Sequence, residues 1–351
     1  IARGGDRLPR MRVLVLGGTR FMGHFLVYRL LAAGHQVTLL NRGATPDRFG
    51  DRVARVRCDR AADDLAQALG GREFDAAVDF TAYTAADGRA AARALGGGRV
   101  GHYVMISTGS VYLVREGCPR PSRERDYDGP LLPEPEGEED RAAWAYGMNK
   151  RGCEEALAAA FRDDGFPATV LRIPMVNGER DPHRRLERYV ARVLDGGPLL
   201  VPDGGGHVVR HVYSGDVVRA IVALLLVPST FGQAYNVCMD ETPTLSELLA
   251  LIAELLGAPA RLAPVASAAL RARGIDPVAM SPFSDRWMST LDPSRAKAEL
   301  GFQHTPLRRW LETVVTSLLA NPPSDPPPGY ERRADEVSLA AEAGAGNAGR
   351  A

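Results

Sequence analysis

Lysine is nearly absent from this chain. Lys150 and Lys297 are its two lysines among 43 basic residues, so arginine carries almost every positive charge. No sign of charge is in excess either: 43 acidic side chains balance the 43 basic ones. That neutrality argues against nucleic acid as a main partner, because phosphate binding normally shows as a basic surplus. Cysteine is scarce. Cys58, Cys118, Cys153 and Cys238 form no C-x-x-C pair and no Cys/His spacing suited to zinc. They read as reduced thiols of a cytoplasmic protein with no metal site. Long apolar runs are missing: "AIVALLLV" (220–227) is far too short to cross a bilayer, so no membrane partner is expected. The first ten residues, "IARGGDRLPR", lack the apolar core of a secretion signal and read as a loose leader.

What is present is an alternation. "MRVLVLGG" (11–18) is a continuous apolar run ending in glycines, as a strand buried on both faces requires. "MGHFLVYRLLAAGH" follows with helical period and a glycine stop. "QVTLLNRG", "DRVARVRCD", "FDAAVDFTAY" and "GHYVMISTGSVY" read as further strands, with helical "ADDLAQALG" and "AADGRAAARALG" between them. The expected fold class is α/β, a doubly wound parallel sheet. Residues 113–140, rich in proline, glycine and charge, are too long for an ordinary connection and read as a lid or a mobile excursion. In it, Asp126 and Asp128 would reach a substrate only if the segment closes. Beyond 176 come the strand-like "HVVRHVYS" and the amphipathic stretches "LSELLALIAELLG" and "LRRWLETVVTSLLA". Residues 321–351, proline-rich and then alanine- and glycine-rich, read as a largely disordered tail.

"LGGTRFMGH" joins the first strand to the first helix. Gly17 permits a sharp turn, Gly23 permits close helix–strand packing, and the amides of Thr19, Arg20, Phe21 and Met22 open the helix, where a pyrophosphate can be held. An acidic residue closing the second strand would hold the ribose 2′-hydroxyl of NAD. Here Asn41 and Arg42 stand there instead. With Arg20, Arg42 could fork onto a 2′-phosphate, so NADP(H) is favoured over NAD(H). Asp59 is placed to meet the adenine amino group, or is a plain helix cap. Thr81, Ala82 and Tyr83 should line the pyrophosphate and ribose.

Tyr146 and Lys150 lie four apart and share one helix face. A phenol has a reference pKa near 10, so a phenolate at neutral pH needs roughly 4 kcal/mol of differential stabilisation. An adjacent ammonium and an oxidised nicotinamide would both favour it. A compact ammonium can also donate to two ribose hydroxyls where a guanidinium fork would not fit. In "ISTGSVY", Thr108 is the chosen hydroxyl to meet the substrate oxygen beside Tyr146.

The glycine turn, "STGSVY" and Y-x-x-x-K in this order resemble the extended short-chain dehydrogenase/reductase family, the NAD-dependent epimerase/dehydratase group, from about Met11 to about Leu319. "LRIPMVNGERDP", "HVYSGDVVRAI" and "DPSRAKAELGF" are similar to stretches of that group. The resemblance implies a Rossmann domain over 11–176 and a smaller C-terminal α/β substrate lobe over 177–320, interleaved with it. It implies an NAD(P)-dependent epimerase or oxidoreductase that exchanges a hydride between nicotinamide C4 and a hydroxyl- or keto-bearing carbon of a sugar-like or nucleotide-sugar small molecule. Thr108, Tyr146 and Lys150 would be catalytic, with Pro174 and Val176 packing near the nicotinamide and Ser110, Asn177 and Arg210 touching substrate. It also suggests a homodimer. Dehydratases of the group carry Asp-Glu after the threonine, where this chain has Gly109 and Ser110, so elimination is not expected. Met175 replaces an asparagine common in nucleotide-sugar enzymes. Alternatives are an NADPH-dependent ketone reductase of a small metabolite, or a non-catalytic, RNA-associated protein on the same fold.

Overall fold

The computed structural model describes residues 10–348, and the expected leader therefore lies almost wholly outside the described residues. The chain divides into two compact units. Unit 1 comprises Ile1–Val176, Ser214–Cys238 and Ser289–His304; unit 2 comprises Asn177–Tyr213, Met239–Met288 and Thr305–Ala351.

Unit 1 is a seven-stranded sheet. Its strands are β1 (Arg12–Leu16), β2 (Gln36–Asn41), β3 (Val53–Arg57), β4 (Ala76–Asp79), β5 (Tyr103–Thr108), β6 (Ala168–Ile173) and an edge strand, Ala234–Asn236. The order runs from the edge strand through β6, β5, β4, β1 and β2 to β3, with every pairing parallel. Parallel neighbours need crossovers, and α1 (Phe21–Ala32), α2 (Leu65–Leu69), α3 (Ala85–Leu95) and α5 (Glu138–Asp164) supply four of the six connections. A short α4 (Ser110–Leu113) follows β5. Alternation along β1 assigns the faces: Leu14 and Leu16 share a core with Leu65, Leu95, Cys153 and Leu157 from α2, α3 and α5. Val15 faces the other way, toward Val27 of α1 across Gly18. Both faces are covered, which is why the strands read as unbroken apolar runs. The strand order reverses between β1 and β4, so a crevice opens at their carboxyl ends.

The expected excursion is tied down. Leu132 N–H donates to the Val114 carbonyl at 2.8 Å, and Ser122 N–H to the Thr290 carbonyl at 2.8 Å. The Glu124 carboxylate accepts from Asn236 N–H at 2.7 Å, and the Arg151 guanidinium donates to the Tyr127 carbonyl at 3.0 Å. Residues 113–140 are therefore a stitched surface segment of unit 1; its turns fold back on α5 and the edge strand, and satisfy their polar groups there.

Unit 2 contains helices Arg185–Leu194, Leu245–Leu255 and Leu307–Ala320 and a parallel pair of strands, Leu199–Pro202 with Leu262–Val265. "HVVRHVYS" yields only the two-residue strand Val212–Tyr213. The disordered tail expected from 321 is corrected: Arg333–Ala348 is a helix whose Leu339 joins the core of Leu200, Val265 and Leu270. Glu336 is fully buried against Arg192 at 2.6 Å, and Arg333 meets Asp195 at 2.6 Å. Composition alone missed this because these ion pairs are contacts between residues more than a hundred positions apart. Among the described residues no helix is long and apolar enough to cross a membrane.

Candidate active site

Gly17 ends β1 with φ +83°, and a Cβ there would stand 2.6 Å from Thr81 Cγ2. A Cβ on Gly23 would stand 2.6 Å from the Gly17 carbonyl oxygen. Neither site admits a side chain, so bare backbone lines the turn. Phe21 opens α1 with φ +44°, a left-handed conformation that a non-glycine residue adopts only at an energetic cost. Arg20, at the N-cap, makes no side-chain cap, and the first turn holds no acid, so its amides face no competing carboxylate of their own. This cradle fits a dinucleotide pyrophosphate. Gly17→Ala should weaken dinucleotide binding at least about tenfold. Gly34→Ala is the control, since Gly34 has the same kind of φ (+85°) and nothing within 4 Å; equal affinities of the two variants in a fluorescence titration would remove the turn from the site.

At the end of β2, the Asn41 side-chain oxygen accepts from Gly43 N–H at 3.0 Å and from the Arg57 guanidinium. Arg42 is exposed, 3.9 Å from Asp59. The Arg20 guanidinium donates to the Thr45 hydroxyl at 3.1 Å. Asp59 accepts from Ala61 N–H at 3.2 Å in a tight turn, and the N-cap of the following helix is Asp64 instead. Arg57 was missed in the sequence; the signal was its strand register opposite Asn41.

Behind β4 lies a second feature that sequence reasoning missed. Asp79 is completely buried. It accepts from Thr81 N–H (2.7 Å) and Thr81 hydroxyl (2.9 Å), from Arg60 (2.6 Å) and from the Tyr103 phenol (2.7 Å). Burial raises the Tyr103 pKa well above the usual phenol value, and Asp79 adds to the rise. This cluster orients Thr81 and the loop through Ala82 and Tyr83. The signal was a lone carboxylate ending an apolar strand.

α5 and the end of β5 carry the proposed chemistry. Thr108 is buried, donates its hydroxyl to Ser110 Oγ at 3.1 Å and accepts from Ser110 N–H at 3.1 Å. Its neighbour Ser107 points to the opposite face of β5 and donates to Glu154, as period-two alternation demands. Glu154 in turn holds Arg172 at 2.6 Å, and Arg172 donates to the Tyr112 phenol at 2.8 Å. Lys150 is 3% exposed; its ammonium donates to the Ala82 carbonyl at 2.8 Å and the Ile106 carbonyl at 2.9 Å, and sits 4.5 Å from the Tyr83 ring centre. Two of its three N–H groups are thus committed to backbone, leaving one for a ligand. Burial lowers its pKa, opposed by Cys153, Asp79, Glu154 and Asp87.

Tyr146 is 40% exposed, with its ring 6.3 Å from that of Tyr83. Partial burial is the largest influence and raises the pKa; a hydrogen bond with Thr108 opposes the rise and Tyr83 adds to it. The ammonium of Lys150 is held by the Ile106 carbonyl of β5 and the Ala82 carbonyl just after β4. Unit 1 therefore gathers Thr108, Ser110, Tyr146 and Lys150, with Tyr83 and Ala82 beside them. Pro174 and Val176 follow β6 and are buried. Asn177 and Arg210 belong to unit 2, where Asn177 pairs with His211 at 2.8 Å and Arg210 donates to the Asp240 carbonyl at 2.8 Å. Arg184 is matched by Glu187 and Asp325 and Arg185 by Asp181 at 3.0 Å, while Arg188 donates to the Ala279 and His183 carbonyls.

A Cβ on Gly109 would stand 2.6 Å from Ser289 Cβ and closer still to its hydroxyl. No carboxylate fits at 109 while Ser289 is in place.

Comparison with known proteins follows this geometry. Residues 13–238 match the NAD dependent epimerase/dehydratase family. A 2′-dehydrokanamycin reductase of Streptomyces kanamyceticus is 27% identical over 254 residues, 71% of this chain and 68% of that one. A chloroplast stem-loop binding protein of 41 kDa from Arabidopsis thaliana is 24% identical over 71% of this chain, which spans 64% of the plant protein. Among solved structures, the Thermotoga maritima UDP-glucose 4-epimerase with UDP-glucose superposes with TM-score 0.69 at 19% identity, covering 88% of this chain and 99% of that one. A dTDP-glucose 4,6-dehydratase of Streptomyces venezuelae with NAD bound gives 0.67 at 23% identity, covering 89% and 98%. These structures share the fold.

Proposed function

The chain belongs to the NAD-dependent epimerase/dehydratase family, and from that premise we propose that it is an NADP(H)-dependent oxidoreductase that reduces a carbonyl on a sugar-like small molecule. The observation that carries this reading is the grouping of the Tyr146 phenol with the Thr108 hydroxyl and, one helical turn on, the buried Lys150 ammonium fixed by the Ala82 and Ile106 carbonyls. A neutral phenol is a proton donor. When bound, a reduced nicotinamide supplies hydride to the carbonyl carbon. Tyr146 hands its proton to the developing alkoxide, Thr108 holds the same oxygen, and Lys150 keeps its remaining N–H for the ribose. Arg20, Arg42 and Arg57 around Asn41 support NADP(H). Gly109 under Ser289 leaves no acid or base for elimination at that position, which speaks against a dehydratase. The relative from Streptomyces kanamyceticus, a reductase by name, supports the same direction.

A second reading, epimerisation on a retained cofactor, uses the same three residues and requires Tyr146 to act in both protonation states. One experiment separates them. With NADPH and a panel of keto-sugars, the reductase consumes NADPH stoichiometrically; substrate inversion with no net absorbance change would refute net reduction. The pH profile is a further check. A phenol pKa raised in the free protein keeps the donor protonated, so reductive kcat/KM should stay flat between about pH 7 and 9. A fall across that range would mean that the phenol ionises early and that another group donates the proton.

A further inference from the structure

We infer that Arg57 sets the cofactor preference through Asn41, by locking its amide so that the nitrogen is left as an unpaired donor. This rests on the NADP(H) reading above. The Asn41 oxygen faces two groups that can only donate, the Gly43 N–H at 3.0 Å and the Arg57 guanidinium. Flipping the amide would set its NH2 against both, so the orientation is fixed chemically. The NH2 group then points away from them, and it is buried with no hydrogen-bond partner. A buried donor without a partner calls for an acceptor. Its surroundings supply further donors: Arg42 follows it directly, and Arg20 reaches Thr45 four residues on. An edge made of donors suits the oxygens of a phosphate monoester, the 2′-phosphate that distinguishes NADP from NAD.

The turn after β2 is shaped for this contact. Gly43 has φ +83°, and a Cβ there would stand 2.8 Å from the Arg57 guanidinium nitrogen. Glycine is what lets Arg57 cross from β3 to Asn41. Arg57 is exposed, so its replacement leaves the core untouched. It is a positioning residue.

The probes are adenosine 2′,5′-bisphosphate and 5′-AMP, titrated calorimetrically onto the full chain without turnover. Arg57→Met should weaken the bisphosphate about tenfold or more and leave 5′-AMP within about twofold. Arg57→Lys, which still donates, should recover most of the loss. In an Asn41→Ala background Arg57→Met should add little, because the route through the amide is already gone. Additive losses in that pair would overturn the route through Asn41. Equal weakening of both probes, or no change in either, would overturn the inference while leaving NADP(H) preference intact. A wild-type protein that binds the bisphosphate no better than 5′-AMP would overturn both.

Discussion

Tyr146→Phe should lower turnover by about 10²–10⁴-fold while leaving dinucleotide affinity within about twofold. The substitution removes one oxygen and keeps the ring, so the packing against Tyr83 at 6.3 Å survives. What disappears is the proton delivered to the substrate oxygen. Thr108 cannot replace it, because a threonine hydroxyl is a far weaker acid than a phenol. Because Lys150 is held by the Ala82 and Ile106 carbonyls, the residue proposed to meet the ribose stays in place in the variant. Steady-state kinetics with stopped-flow cofactor titration measure both quantities. Wild-type turnover in the variant would remove Tyr146 from the chemistry; a parallel loss of dinucleotide affinity would assign it a binding role instead.

Arg172→Met should destabilise the protein by roughly 3–5 kcal/mol. The Glu154 and Arg172 side chains are 5% and 6% exposed and meet at 2.6 Å. Glu154 also accepts from Ser107, and Arg172 spans from it to Tyr112 at 2.8 Å while lying 4.2 Å from the Tyr127 ring centre. Methionine fills much of the same space, but it leaves a buried carboxylate facing one hydroxyl. The penalty is the stranded charge rather than the lost attraction. Hence the double variant Arg172→Met, Glu154→Leu should be less destabilised than the single one. Urea denaturation of the two settles the matter: a single variant that loses under about 1 kcal/mol, or a double variant that is worse than the single, would show that the pair contributes little.

The parts of this protein that were legible in its sequence share a property: each is a local signal. The strands announced themselves as apolar runs because both sheet faces are covered. Gly17 and Gly23 were identified by their place between strand and helix, and the missing space at both positions gives the reason. Tyr146 and Lys150 were found by their four-residue spacing on α5. Thr108 was preferred to Ser107, and strand alternation places Ser107 on the far side, against Glu154.

What escaped were contacts between distant positions. Arg60 meets Asp79 across nineteen residues and helps orient the loop through Thr81. Glu336 meets Arg192 across 144, turning an expected tail into a helix. The excursion over 113–140 is anchored at Thr290 and Asn236. The protonation of Tyr146 belongs here too, since desolvation depends on what packs around a hydroxyl and not on its neighbours in the chain.

By itself, the sequence determined the parallel α/β sheet, the glycine turn and the identities of the phenol and the ammonium, because periodicity and spacing act over a few residues. Only the tertiary structure decided where the ammonium donates, which way the phenol's pKa moves, and that Arg57 reaches Asn41. Burial, charge and hydrogen-bond direction at a site are sums over everything folded against it.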